Sequence, residues 1–305
     1  MSSLASEHRL TRHELWYGRD EEPPEREIVQ AGELTVELEG PQIRTVRAGD
    51  VEILRGVYMA VRDEEWGTVA GSVSGLELSR GEGEFATTFE MTHRQPPLSF
   101  NWRGRIEGDR SGTITFQLDG VALTAFRYCR IGFCLLHPPS ECAGQRYHGR
   151  SPSGPVEGTL PLAIGPQLFE RALYWPLFPS VSELELSLVS GVQVQMLFEG
   201  DLFEMEDQRN WTDASLKTYC TPQELGYPFD ASTGQRFSQK VTIHVSGRPA
   251  RARAVSDLPR VTFDIDGGRP LPPVGLCLPR AADRHSAAET RLLARAHPSH
   301  LRVDL

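Results

Sequence analysis

The chain has 305 residues, 39% of them hydrophobic, and a formal net charge of −9, enough for one large or two ordinary domains. The acidic balance argues against a nucleic-acid partner, because phosphate binding draws on clustered Lys and Arg. No window approaches 18 consecutive apolar residues, so a membrane-spanning helix is excluded.

Residues 1–32 read as a polar leader: Glu21-Glu22-Pro23-Pro24-Glu25 is extended and charged, and Trp16-Tyr17 is a candidate docking anchor. The leader lacks the apolar core of a signal peptide. From residue 33 to 247 the signal has period two. Phe85, Thr87, Phe89 and Met91 share a face; Ile114, Phe116 and Leu118 alternate with polar residues. So do Leu184, Leu186 and Leu188, and Val241, Ile243 and Val245. Such alternation marks half-buried antiparallel strands, and Ala48-Gly49-Asp50, Gly108-Asp109 and Ser111-Gly112 supply turns between them. The expectation is a mainly β protein built on a large antiparallel β-sandwich, with 138–165 as a long loop and no convincing helix before about residue 283.

Cys129, Cys134, Cys142, Cys220 and Cys277 are odd in number and irregularly spaced, as the reduced thiols of a cytoplasmic protein would be. Cys129, Cys134, His137, Cys142 and His148 crowd into twenty residues, but without a C-x₂-C pair the zinc pattern fails. Ile131, Phe133 and Leu135 there alternate as in a buried strand. Neither a metal nor another cofactor is expected.

The densest chemistry lies in 203–219, where Glu204, Glu206, Asp207 and Asp213 accompany Arg209, Asn210, Trp211, Lys217 and Tyr219. Crowded charges are unfavourable unless they pair or meet a polar ligand. Polar groups that bond hydroxyls, beside an aromatic plane for the C–H face of a ring, suit a sugar or sugar acid. The same composition also fits a polar loop whose charges satisfy one another. Asp63, Glu64, Glu65 and Trp66 form a smaller cluster of the same type.

Residues 248–272 read as a connector with one strand at Val261–Ile265. In 273–305 a short apolar run, Pro273–Leu278, precedes a helix over Ser286–Ala296. Ser286 and Glu289 there form a capping box and Pro298 a stop. His300–Leu305 is again strand-like. Strand, helix and strand make one βαβ unit, read as the start of a truncated (β/α) barrel.

Several segments together resemble the D-apionate lactonase family: Ile53–Asp63 with Glu65-Trp66-Gly67-Thr68, the run Arg130-Ile131-Gly132-Phe133-Cys134-Leu135-Leu136-His137-Pro138-Pro139, the stretch 198–222, and the terminal 300–305. The resemblance implies an N-terminal β-domain, a TIM-type barrel and a small C-terminal β-domain in a chain about twice this length. It also implies hydrolysis of D-apionolactone to D-apionate, a step of carbohydrate metabolism. With the barrel remainder lacking, the expectation is a truncated or inactive form whose natural packing partner is that barrel. Leu168–Val181, with Tyr174-Trp175-Pro176, departs from the family pattern.

Lactone hydrolysis needs a base for water, donors for the oxyanion and a proton for the leaving alkoxide. Glu206, Asp207, Asp213 and His137 are the candidate bases, and Arg209 joins them as an oxyanion donor. Glu204, Asn210, Trp211, Lys217, Tyr219 and Trp66 are the candidate substrate-binding residues. No G-x-S-x-G elbow marks a serine nucleophile. The competing readings are a non-catalytic carbohydrate-binding sandwich, for which Trp66, Trp102 and Trp211 would share one exposed face, and an accessory domain of a glycosidase- or epimerase-like enzyme.

Overall fold

A computed structural model describes residues 10–18, 20–164, 176–211, 213–249, 272–278 and 286–303. In chain order the strands are β1 (Arg26–Ala31), β2 (Leu34–Glu39), β3 (Gln42–Ala48), β4 (Val51–Leu54), β5 (Gly56–Asp63), β6 (Gly71–Gly81), β7 (Glu84–Gln95), β8 (Leu98–Gly108), β9 (Thr113–Ala122) and β10 (Phe126–His137). Then come β11 (Arg146–Ser151), β12 (Gly154–Thr159), β13 (Glu183–Ser187), β14 (Gln193–Glu199), β15 (Glu204–Asp207), β16 (Leu216–Tyr219), β17 (Phe229–Ala231), β18 (Arg236–Ser246), β19 (Gly275–Leu278) and β20 (His300–Val303). The helices are α1 (Arg12–Tyr17), α2 (Pro139–Cys142) and α3 (Ala287–Ala296).

The chain divides into two compact units, Glu25–Ala254 and a second made of Met1–Pro24 with Val255–Leu305. The larger unit is mainly β and antiparallel, as expected. One nine-stranded sheet runs β1-β2-β3-β5-β10-β16-β15, with β4 on β3 and β17 on β10. The other runs β12-β11-β13-β14-β18-β9-β8-β7-β6. Period-two alternation builds both: along β9, Ile114, Phe116 and Leu118 are buried while the residues between them are only partly so. Phe116 on β9 meets Phe133 on β10 with ring centroids 4.7 Å apart, which joins the two sheets through a continuous apolar core. Burying such rings supplies most of the favourable free energy of a sandwich.

Three segments differ from the sequence expectation. The stretch 138–165 is not a loop: α2 is followed by the hairpin β11–β12, with every residue of β11 paired. Gly149 in β11 lies close to Val156 and Val181, where an added Cβ would be tightly crowded, and glycine weakens the strand signal in a sequence. Strand β1 lies inside the segment expected to be a polar leader, because Val29 and Ala31 point into the core between exposed neighbours. A helix also exists before residue 283. α1 is capped by Thr11, whose hydroxyl accepts from Glu14 N while the Glu14 carboxylate accepts from Thr11 N. The strand expected at Val261–Ile265 and the segment Tyr174-Trp175 lie outside the described residues.

In the smaller unit β19 and β20 pair in parallel, with α3 between them in sequence, so the βαβ arrangement is present. Ser286 and Glu289 form the capping box of α3 as read from sequence. The buried Glu14 carboxylate of α1 accepts from Arg291 Nη2 on α3, which ties the two helices. Among the described residues, no helix is long and apolar enough to cross a membrane.

The Phe116–Phe133 contact is testable. Phe133→Ala should lower unfolding stability by about 3–5 kcal/mol, read from urea denaturation; a loss below about 1 kcal/mol would show that the core does not depend on it.

Candidate functional site

Directly opposed residues of an antiparallel pair share a face of the sheet. Across β5, β10, β16 and β15 this register sorts the candidates. Tyr58, Cys134, Tyr219 and Glu204 stand in one row; Leu136, Lys217 and Glu206 form the next; Arg62 pairs with Arg130 further along. All of these lie on the face turned away from the Phe116–Phe133 core. The strand β10 is therefore buried on both sides, apolar inward and polar outward. Arg130, which was not among the sequence candidates, sits at the centre of this outer face. A single Arg before Ile131-Gly132-Phe133 was the available signal.

The Arg130 guanidinium lies 3.9 Å over the Tyr219 ring and 5.3 Å from that of Trp66, a cation–π contact with each. Trp66 in turn meets Tyr227 edge-on at 4.9 Å. Its turn is built by Asp63, whose Oδ1 accepts from Glu65 N and Gly67 N. Tyr219 Oη donates to Glu204 Oε1 at 2.7 Å, and Gln223 N donates to the same oxygen at 2.8 Å. Burial pushes the Glu204 carboxyl above its usual range, against the lowering effect of those two donors. Burial and the neighbouring carboxylates of Glu206 and Glu204 likewise raise the Tyr219 phenol, which keeps it a donor. Glu206 is ion-paired with Lys217 at 2.5 Å and also accepts from Gln208 Nε2.

Two groups stand out. Arg130 is 4% exposed and Glu204 fully buried. Among the described residues, Arg130 Nε and Nη2 and Glu204 Oε2 have no hydrogen-bond partner. Each buried polar group left so costs on the order of 1–3 kcal/mol, more when charged.

The remaining candidates go elsewhere. Asp207, opposite Leu216, is one residue out of phase with Glu206 and lies in the other register. Arg209 grips it side-on, with Nε to Oδ1 at 2.8 Å and Nη2 to Oδ2 at 2.7 Å, and holds the carbonyls of Leu162 and Pro161. This pair braces a loop, and the hydrogen bond raises the Arg209 pKa. Asn210 donates to Asp207 O, Asp213 accepts from Ser215 Oγ, and Trp211 is largely exposed. His137 is buried on the inner register, with Nε2 2.8 Å from Thr218 Oγ1. The three rings of the binding-module reading do not form one exposed platform, because Trp102 is buried and donates to His93.

The comparisons with known proteins agree with this architecture. A family model described as D-apionate lactonase, N-terminal domain, matches residues 14–248. A D-apionate lactonase from Brucella anthropi is 30% identical over 290 residues, which cover 94% of this chain and 46% of the relative. The chain thus spans about half the length of that relative. A solved structure of a Synechocystis sp. PCC 6803 protein superposes with a TM-score of 0.50 at 9% identity, over 74% of this chain and 96% of the other, a likeness of fold alone.

Burial of His137 makes stability depend on pH. Burial lowers its pKa from 6.5 to about 3, so between those values the unfolded chain binds more protons and stability falls as pH drops. His93, also lowered by burial, acts in the same direction. From pH 7 to pH 5 the wild type should lose at least about 1 kcal/mol more than His137→Asn; equal losses in urea denaturation would contradict a buried neutral imidazole.

Proposed function

The chain belongs to the D-apionate lactonase family, and from that membership we propose that it supplies the β-sandwich half of a sugar-acid lactone hydrolase. In this reading the outer face around Glu204, Glu206, Lys217 and Tyr219 receives a D-apionolactone-type substrate. The observation that carries it is the buried Glu204 carboxylate, with one oxygen held by Tyr219 and Gln223 and the other without a partner among the described residues. A carboxylate held by one oxygen and raised in pKa by burial is suited to proton transfer.

The chemistry follows from these groups. Glu204 Oε2 takes a proton from water as that water attacks the lactone carbonyl carbon. The developing oxyanion is stabilised by the Lys217 ammonium, which Glu206 and the Tyr219 ring hold in position. When the ring C–O bond breaks, the protonated Glu204 returns its proton to the leaving alkoxide, and the product is the open hydroxy acid. Asp207 and Arg209 act as bracing, with Asp213, Asn210 and Trp211 on the loop that follows and His137 as support beneath the sheet.

The same reading takes 25–247 as the sandwich domain, with β1 included, 248–272 as the connector and 273–305 as the first βαβ unit of a (β/α) barrel, in a cytoplasmic enzyme. It is supported by the parallel β19–β20 pair and by the share of the relative that this chain covers.

In a full-length family member carrying these residues, Glu204→Gln should slow D-apionolactone hydrolysis at least about a hundredfold, followed by pH-stat. Arg209→Ala should slow it less than about tenfold. In the parent enzyme, turnover should fall as pH drops through a pKa above 4.5, the ordinary glutamate value. A Glu204→Gln rate within threefold of the parent would overturn the assignment.

A further inference from the structure

We propose that Arg130 and Glu204 together form a recognition site for a polyhydroxy monocarboxylate, with the Arg130 side edge gripping the carboxylate and Glu204 Oε2 accepting from a ligand hydroxyl. The inference rests on the lactonase reading only for the choice of acid, and it adds what that reading leaves open: the face grips the carboxylate that ring opening creates, and so prefers the acid product to a neutral polyol.

The geometry of the guanidinium carries the argument. Nε–H and Nη2–H point the same way and form one edge of the fork, which matches the two oxygens of a carboxylate. This protein already uses that edge once: Arg209 presents Nε and Nη2 to Asp207, at 2.8 and 2.7 Å. On Arg130 the same two nitrogens are buried and lack a partner among the described residues. They are fixed in place all the same, because the Tyr219 and Trp66 rings hold the guanidinium plane. A charge that is positioned but left unbonded is prepared for something outside the fold.

Glu204 complements it. Tyr219, whose ring lies under Arg130, uses its hydroxyl to fix Glu204 Oε1. Orientation of the acceptor and of the cation is therefore transmitted through one side chain. With Oε1 occupied, Oε2 is left as an acceptor that a second carboxylate would be repelled from and a hydroxyl would satisfy. An anion-seeking edge and a donor-seeking oxygen on the same face specify a ligand that carries both an acid group and hydroxyls. The half-buried Tyr58, Arg62 and Lys217 share this face; Lys217 is balanced by Glu206, and Arg62 adds to the preference for negative charge.

The test is calorimetric titration of the 305-residue chain with sodium D-apionate and, separately, with the neutral alditol of the same carbon skeleton. The wild type should bind the acid at least tenfold more tightly than the alditol. Arg130→Lys keeps the charge but removes the side-on fork; it should weaken the acid at least tenfold and change the alditol less than twofold. Equal affinity of the wild type for acid and alditol, or no heat from the acid at all, overturns the proposal without any variant. So does undiminished acid binding by a folded Arg130→Lys. Arg130-dependent acid binding by this chain, beside an unimpaired Glu204→Gln rate in the full-length family member, would leave the recognition site standing and remove the lactonase reading; a slowed Glu204→Gln rate with no preference of this chain for the acid would do the reverse.

Discussion

The stacking of the Arg130 guanidinium on Tyr219 is the interaction around which the polar face is arranged. Tyr219 lies directly opposite Cys134 on one side and Glu204 on the other, so its ring covers the Arg while its hydroxyl orders the carboxylate. Burying a guanidinium beside carboxylates in a sheet that has an apolar face below is expensive unless geometry is well fixed. The strand β10 meets this demand through period two: Ile131, Phe133 and Leu135 anchor it in the core, and the alternate positions are free to carry charge.

That alternation also explains why a run of acidic residues does not act as one cluster. Glu204 and Glu206 share a face, and Asp207 falls between their phases. The strand ends there, and Asp207 is taken up by Arg209 in a brace that secures the backbone of Pro161 and Leu162. A composition that looked uniformly suited to a ligand therefore divides into a set that faces outward and a set that holds the loop. Both halves of the original alternative, a sugar-acid site and a self-satisfied polar loop, describe part of the segment.

The elements with strict alternation were legible before any coordinates, among them β7, β9, β13 and β18, and so was α3 with its Ser286 cap. Those that escaped notice had weak or interrupted patterns. Gly149 and Gly158 dilute the hairpin after α2; a Cβ at Gly149 would crowd Val156 and Val181, and one at Gly158 would run into the Tyr147 ring. The capping box of α1 was readable in Thr11 and Glu14, yet six residues of helix offer too short a run for periodicity to register. Arg130 escaped because its neighbours are apolar, and a lone charge in such a run says nothing of what faces it.

Sequence by itself determined the mainly β class, the position of the strictly alternating strands, the βαβ unit near the end and the segment in which the chemistry is concentrated. Each of these depends on contacts or propensities local to a few residues, which a pattern records directly. Only the tertiary structure decided which polar groups meet. Arg130, Tyr219, Trp66 and Glu204 come from parts of the chain as much as 153 residues apart in numbering (Trp66 to Tyr219), and a strand register, which shifts every side chain to the opposite face when it slips by one, brings them together.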